Sequence, residues 1–222
     1  MTEISRRPNR PVADTSDDDD NGSPLIRGGW TEATKQAEAA SDYAQALRLE
    51  QNVQIIKFLE DAPYASYKRH WVDRNGPSGP TKRAYVCFKT VNRSCPLCNI
   101  GNNPQAVSAF NVAVIGDEGQ AILRSWDLGV KILNVIKAFH NDPKVGPLTK
   151  GFFAVSKTGG RGGAVQTNIF PVKASALYED YSIVAPTTED LALDLYTSDI
   201  IRLPKLSDME EVASELATGF AD

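Results

Sequence analysis

The sequence predicts a mainly β chain with flanking helices: a small OB-fold-like barrel that carries an inserted zinc-ribbon hairpin. Three observations lead there. Five short runs rich in β-branched and aromatic residues surround one helical run between residues 52 and 178. All three cysteines, Cys87, Cys95 and Cys98, fall with His70 in a single stretch of that segment. The net charge of -4 conceals a basic middle between acidic ends. Lys plus Arg against Asp plus Glu count 6 and 10 over residues 1–51, 16 and 7 over 52–178, and 2 and 11 over 179–222. A basic core between acidic ends is the charge pattern of a polyanion binder.

Residues 1–29 combine Arg6, Arg7, Arg10, three prolines and the run Asp17 to Asp20 with few apolar residues, so they are expected to form a disordered leader. Residues 30–51 are expected to be an N-terminal helix, capped at Thr31 and favoured by an alanine-rich run through Tyr43, Leu47 and Leu49. Asn52 to Glu60 is the first strand, with Lys57 turned away from Ile56 and Phe58. The ribbon occupies 64–104: an aromatic and basic cluster at Tyr64, Tyr67, Lys68, Arg69 and Trp71, a Gly and Pro turn at Asn75 to Pro80, and a returning strand from Lys82 to Lys89.

Ala106 to Ile115 and Ala121 to Trp126 make a hairpin about the turn Gly116-Asp117-Glu118-Gly119. Val130 to Phe139 has helical spacing. Gly151 to Lys157 and Val165 to Val172 are two more strands, joined by the glycine-rich loop Thr158 to Gly163. That loop lacks a Gly-Lys-Ser/Thr ending and opens no helix, which argues against a nucleotide P-loop. In the acidic region 179–222, Thr187 or Thr188 is expected to cap a short helix through Leu191 and Leu195. Ser207 with Glu210 forms a capping box for a final helix ending near Gly219.

Cys95-Pro96-Leu97-Cys98 has the spacing that lets two thiolates on one tight turn reach a tetrahedral ion, and Cys87 and His70 can complete a Cys3His zinc set. Two other readings stay open: a redox Cys-x2-Cys at the start of a helix, and three buried cysteines without a ligand. His140, in the helical run, is the weaker histidine candidate. The closed ligand set, and the absence of a Ser/His/Asp set or of paired carboxylates in the basic core, point away from an enzyme. No apolar run is long enough to span a membrane and no leader resembles a signal peptide, so a reducing cytoplasm is the expected compartment.

Four stretches occur in the order found in the T4-type bacteriophage single-stranded DNA-binding proteins. They are IKFLE (Ile56 to Glu60), His70 followed by Cys87 and SCPLC (Ser94 to Cys98), NVAVIGDEGQAILRSWDLGVKI (Asn111 to Ile132), and FFAVSK (Phe152 to Lys157) before VQTNIF. Residues 50–178 resemble that family, most specifically in His-x16-Cys-x7-Cys-x2-Cys. The resemblance implies an OB-fold core holding Zn2+ through His70, Cys87, Cys95 and Cys98. It also implies sequence-independent, cooperative coating of single-stranded DNA in replication, recombination and repair, in the host cell cytoplasm if the chain is phage-encoded. An acidic C-terminal region that recruits replication or recombination proteins belongs to the same expectation.

Single-strand binding needs cations for phosphates and aromatic faces for bases. The phosphate candidates are Lys57, Lys68, Arg69, Lys82, Arg83, Lys89, Arg93, Arg124, Lys131, Lys157 and Arg161; the stacking candidates are Tyr64, Tyr67, Trp71, Tyr85 and Trp126. The acidic C-terminus is expected to compete for this groove, to dock on a partner through Leu216 and Phe220, or to do both. The alternative function is a zinc-ribbon interaction module or transcription regulator acting on duplex DNA or RNA polymerase.

Overall fold

A computed structural model describes residues 43–76, 79–159 and 165–219. Among them seven strands form one open sheet: β1 (Gln54–Phe58), β2 (Ala65–Gly76), β3 (Gly79–Val86), β4 (Gln105–Ile115), β5 (Ala121–Gly129), β6 (Phe152–Thr158) and β7 (Gln166–Val172). The order is β3-β2-β4-β1-β6-β7, with β5 paired to β4, and every strand pair is antiparallel. No ladder among the described residues closes the sheet into a barrel. Helices α1 (Pro96–Asn99), α2 (Val130–Asn141), α3 (Ala176–Tyr181) and α4 (Leu206–Gly219) flank it, and none is long and apolar enough to cross a membrane.

The long strand β4 organises the sheet. One of its edges pairs with β5 from Val107↔Gly129 to Ile115↔Ala121, while the other is shared by β2 over Gln105 to Ala109 and β1 over Val112 to Ile115. Its near-continuous apolar sequence suits a strand buried on both faces. On one face Ile56, Phe58, Phe110, Val112, Trp126, Leu128, Phe153 and Val155 pack together under Ile136 of α2. Phe58 lies edge-on to Phe110 at 5.5 Å and to Phe153 at 5.2 Å, the arrangement aromatic quadrupoles favour. On the other face Ile55, Ala113, Ile115, Phe152, Ala154 and Val172 are covered by Leu177 and Ile183 from the C-terminal region. The β4–β5 turn closes through Gly116 N–H to Gln120 O at 2.9 Å, and Gly119 supplies its positive φ of 87°.

Two elements differ from expectation. Residues 43–50 are extended, not helical, and the rest of the predicted N-terminal helix and the leader lie outside the described residues. Leu47 N–H donates to Ser125 O at 2.8 Å and Ser125 N–H to Gln45 O at 2.7 Å, so this segment satisfies the free edge of β5. Leu47 and Leu49 then pack on the first core while Arg48 and Glu50 face out, a period of two that outweighs helix propensity.

The acidic region is the second. Instead of a tail it is a folded strap. Thr187 forms its cap with Asp190, but only one turn follows, because Leu191 and Leu193 are drawn onto the second core. Tyr196 N–H donates to Asn111 Oδ1 at 3.0 Å and Asn111 Nδ2 donates to Tyr196 O at 2.9 Å, tying the strap to β4. Helix α4 begins at Leu206, so Ser207 lies inside it and the expected capping box does not form.

Candidate metal centre

The hairpin β2–β3 and the knuckle after it bring four donors together. Register Arg69↔Val86 and His70↔Tyr85 sets His70 beside the end of β3, and Cys87 N–H continues the ladder to Lys68 O at 2.8 Å. Cys87 precedes a short 3-10 turn at Phe88–Val91, and Cys95 caps α1, whose first residue Pro96 needs no partner for a backbone N–H. Cys95 and Cys98 therefore project from a single turn.

His70 Nε2 lies 3.3 Å from Cys95 Sγ and 3.6 Å from Cys98 Sγ, and Cys87 Sγ lies 3.6 Å from Cys98 Sγ. All four donor atoms fall within 4.8 Å of one another. A tetrahedral ion bound at roughly 2.3 Å by thiolate and 2.1 Å by imidazole requires edges of about 3.8 Å between thiolates and about 3.6 Å between thiolate and imidazole. The spacing fits, and the four residues could hold a metal ion. His70, Cys87 and Cys95 are buried, Cys98 is half-buried, and no disulfide links the thiols. The redox alternative expects a strand leading into a helix in a parallel unit, whereas α1 has four residues in an antiparallel setting.

Asn102 completes the arrangement and was not singled out by the sequence. Its Oδ1 accepts from His70 Nδ1 at 3.0 Å while its Nδ2 donates to Trp71 O at 3.1 Å. This fixes the tautomer that turns the Nε2 lone pair toward the thiols. Burial pushes the His70 pKa down, favouring the neutral ring a metal needs. Burial likewise pushes the Cys87 thiol up to about 12. It also opposes the Cys95 thiolate, but the backbone N–H groups of Cys98 and Phe88 with the neighbouring thiols outweigh it and hold that pKa below the ordinary value.

Helix α4 closes the unit. Met209, Val212 and Ala213 pack with Val72, Cys87, Phe88, Cys95 and Leu97 in a third core, joined at its edge by Tyr85 and Leu216. Glu215 grips Arg74 Nη2 through both carboxylate oxygens at 2.7 and 2.6 Å. Leu216 thus faces the chain's own hairpin rather than a partner, and Phe220 lies outside the described residues.

The candidate nucleic-acid residues separate into distinct groups. Lys68, Lys82, Arg83, Lys89 and Arg93 are exposed on the hairpin and knuckle, and Lys131 is exposed on α2. Trp71 is 38% exposed, with the Arg69 guanidinium 4.7 Å over its ring. Trp126, by contrast, is 5% exposed in the first core, 6.0 Å from Phe58, so it offers no stacking face. Tyr85 is half-buried against the third core.

Several others are committed elsewhere. Lys57 Nζ donates to Thr149 O at 2.6 Å and lies over Phe152, which removes it from a phosphate track. Arg69 is paired with Asp127 at 2.7 Å, and Tyr67 donates to the same carboxylate at 3.0 Å. Burial, together with Asp127, raises the Tyr67 hydroxyl pKa. Tyr64 is bonded to Ser125 at 2.7 Å, and its ring centre lies 6.3 Å from that of Tyr196. Arg124 is half-buried and donates to Leu123 O at 2.8 Å, and Lys157 is half-buried. His140 is exposed on α2 and does not belong to the donor cluster, and Arg161 lies outside the described residues. No protein-family model, curated protein or solved structure matches the chain.

Proposed function

We propose that the chain is a sequence-independent single-stranded DNA-binding protein, with a zinc-held hairpin carrying much of its contact surface. The observation that carries this reading is Trp71, exposed on a hairpin that also presents Lys68, Lys82, Arg83, Lys89 and Arg93. An accessible ring beside unburied cations suits bases and phosphates without reading sequence. Three thiolates with one imidazole in tetrahedral spacing suit zinc over harder ions. Bound zinc would neutralise the thiolates and cross-link a hairpin too small to have an independent core.

Strand connectivity supports the same reading. Taking β1, β4, β5, β6 and β7 as a core, β1 pairs with the second and fourth strands and α2 lies between the third and fourth, as in an OB-fold left open between β5 and β7. OB-folds use the loops after their first and fourth strands for oligonucleotides. Here the former carries the metal hairpin. Because Tyr196 already sits on Asn111, the accessible track runs over the hairpin rather than across β4. The function proposed is coating of single strands in phage replication, recombination and repair. The exposed acidic residues of α4 offer a surface for basic partner proteins.

Trp71→Ala tests the carrying observation. Affinity for oligo-dT should fall by about 1–3 kcal/mol, the usual value of one stacked base, with metal content unchanged. Unchanged affinity in the metal-loaded variant would remove Trp71 as a stacking platform.

A further inference from the structure

A second basic surface lies away from the hairpin and contains none of the residues that the sequence marked for phosphate or base contact. Between the loop after α2 and the start of β6 there is a cleft of about 310 Å³, walled by Val145, Phe152 and Pro171 and rimmed by Lys144, Lys150 and Lys173. That is the small end of ligand pockets, which span about 300–1,000 Å³. It suits one ring rather than an extended ligand.

The three lysines are exposed, and among the described residues none takes part in an ion pair. The nearby carboxylates are engaged with the protein: Asp142 Oδ1 accepts from Lys144 N–H at 2.8 Å, and Asp61 Oδ1 accepts from Thr149 N–H at 3.1 Å. The loop is built into the fold. Gly146 N–H bonds Asp142 O at 2.8 Å, and its Cα approaches the His140 carbonyl so closely that a β-carbon would overlap it.

We infer that this cleft is a second contact site for single-stranded nucleic acid, taking one base against Val145 and Pro171 and the flanking phosphates on Lys144, Lys150 and Lys173. An apolar floor with a ring of cations matches a nucleotide unit, which joins a π-face to anionic phosphates. The inference rests on the single-strand reading above and extends the strand's path from the hairpin to the far end of the sheet.

The test is oligo-dT titration of the full chain over a range of salt, comparing the native protein with Lys144→Glu/Lys150→Glu/Lys173→Glu and with Ala174→Leu, which narrows the cleft. Three lost phosphate contacts at about 0.7 each should reduce the log–log salt slope by about 2. Ala174→Leu should weaken binding while keeping the native slope. Affinity and slope equal to the native values in the charge-reversed protein would overturn this site alone. A native chain that binds no oligo-dT would overturn the single-strand reading and this site with it.

Discussion

Cys95→Ser is expected to release the metal and open the unit formed by the hairpin, α1 and α4. The hydroxyl preserves the shape of the side chain but is a poor donor to a soft tetrahedral ion, and the remaining His70, Cys87 and Cys98 would leave a vacant corner. The effect is large because metal affinity in such sites is folding free energy, about 10–16 kcal/mol for isolated zinc-finger peptides. The third core has Cys87 and Cys95 in its interior, so the substitution leaves the new hydroxyl and the Cys87 thiol unsatisfied beside Phe88 and Leu97. Zinc analysis, with limited proteolysis after Pro204, checks the result: metal-free protein and rapid cleavage ahead of α4. Full zinc content with native melting would contradict the site.

Met209→Ala is expected to detach α4 while leaving the sheet folded. Met209 is fully buried where α4 packs on the β2–β3 hairpin and the turn carrying Cys95. Truncation of such a side chain costs about 2–5 kcal/mol. That exceeds what the surface pair Arg74–Glu215, with the Glu215 side chain 49% exposed, can supply to hold the helix. Hydrogen exchange in residues 206–219 should accelerate while β4 and β5 keep their protection. Equal protection of α4 in native and variant chains would contradict its docking. The same packing sets the outcome of deleting residues 179–222. Removing Ile183, Leu191 and Leu193 would uncover the second core, and removing Met209, Val212 and Ala213 would uncover the third. Destabilisation, not tighter DNA binding, is the expected outcome.

What could be read from the sequence was local. The Cys-x2-Cys turn, the β4–β5 hairpin around Gly116 to Gly119, the periodic helix α2 and the pair β6–β7 each carry their signal in adjacent residues. His70 was legible through its chemistry. Its tautomer was not, because Asn102 reaches it from 32 positions away. Trp126 illustrates the opposite error: composition marks it as a stacking candidate, yet its alternation with Ser125 and Asp127 turns it into the core that Phe58 and Phe110 fill.

The C-terminal helix shows a signal that charge concealed. Met209, Val212, Ala213 and Leu216 stand at the spacing of one helical stripe, although acidic residues dominate the segment. The stripe identifies an apolar face but not what covers it. Likewise, Leu47 and Leu49 alternate with Arg48 and Glu50 in an alanine-rich context, and only the open edge of β5 decides between strand and helix.

The most direct measurement is tryptophan fluorescence of the zinc-loaded chain titrated with oligo-dT and with duplex of equal length at two salt concentrations. Trp126 is sealed in the core, which leaves Trp71 as the responsive ring among the described residues. Strong quenching by oligo-dT, a weak response to duplex and an affinity that falls steeply with salt are expected. Equal response to both, or none, would contradict single-strand binding and favour a zinc ribbon that holds a protein partner or duplex DNA.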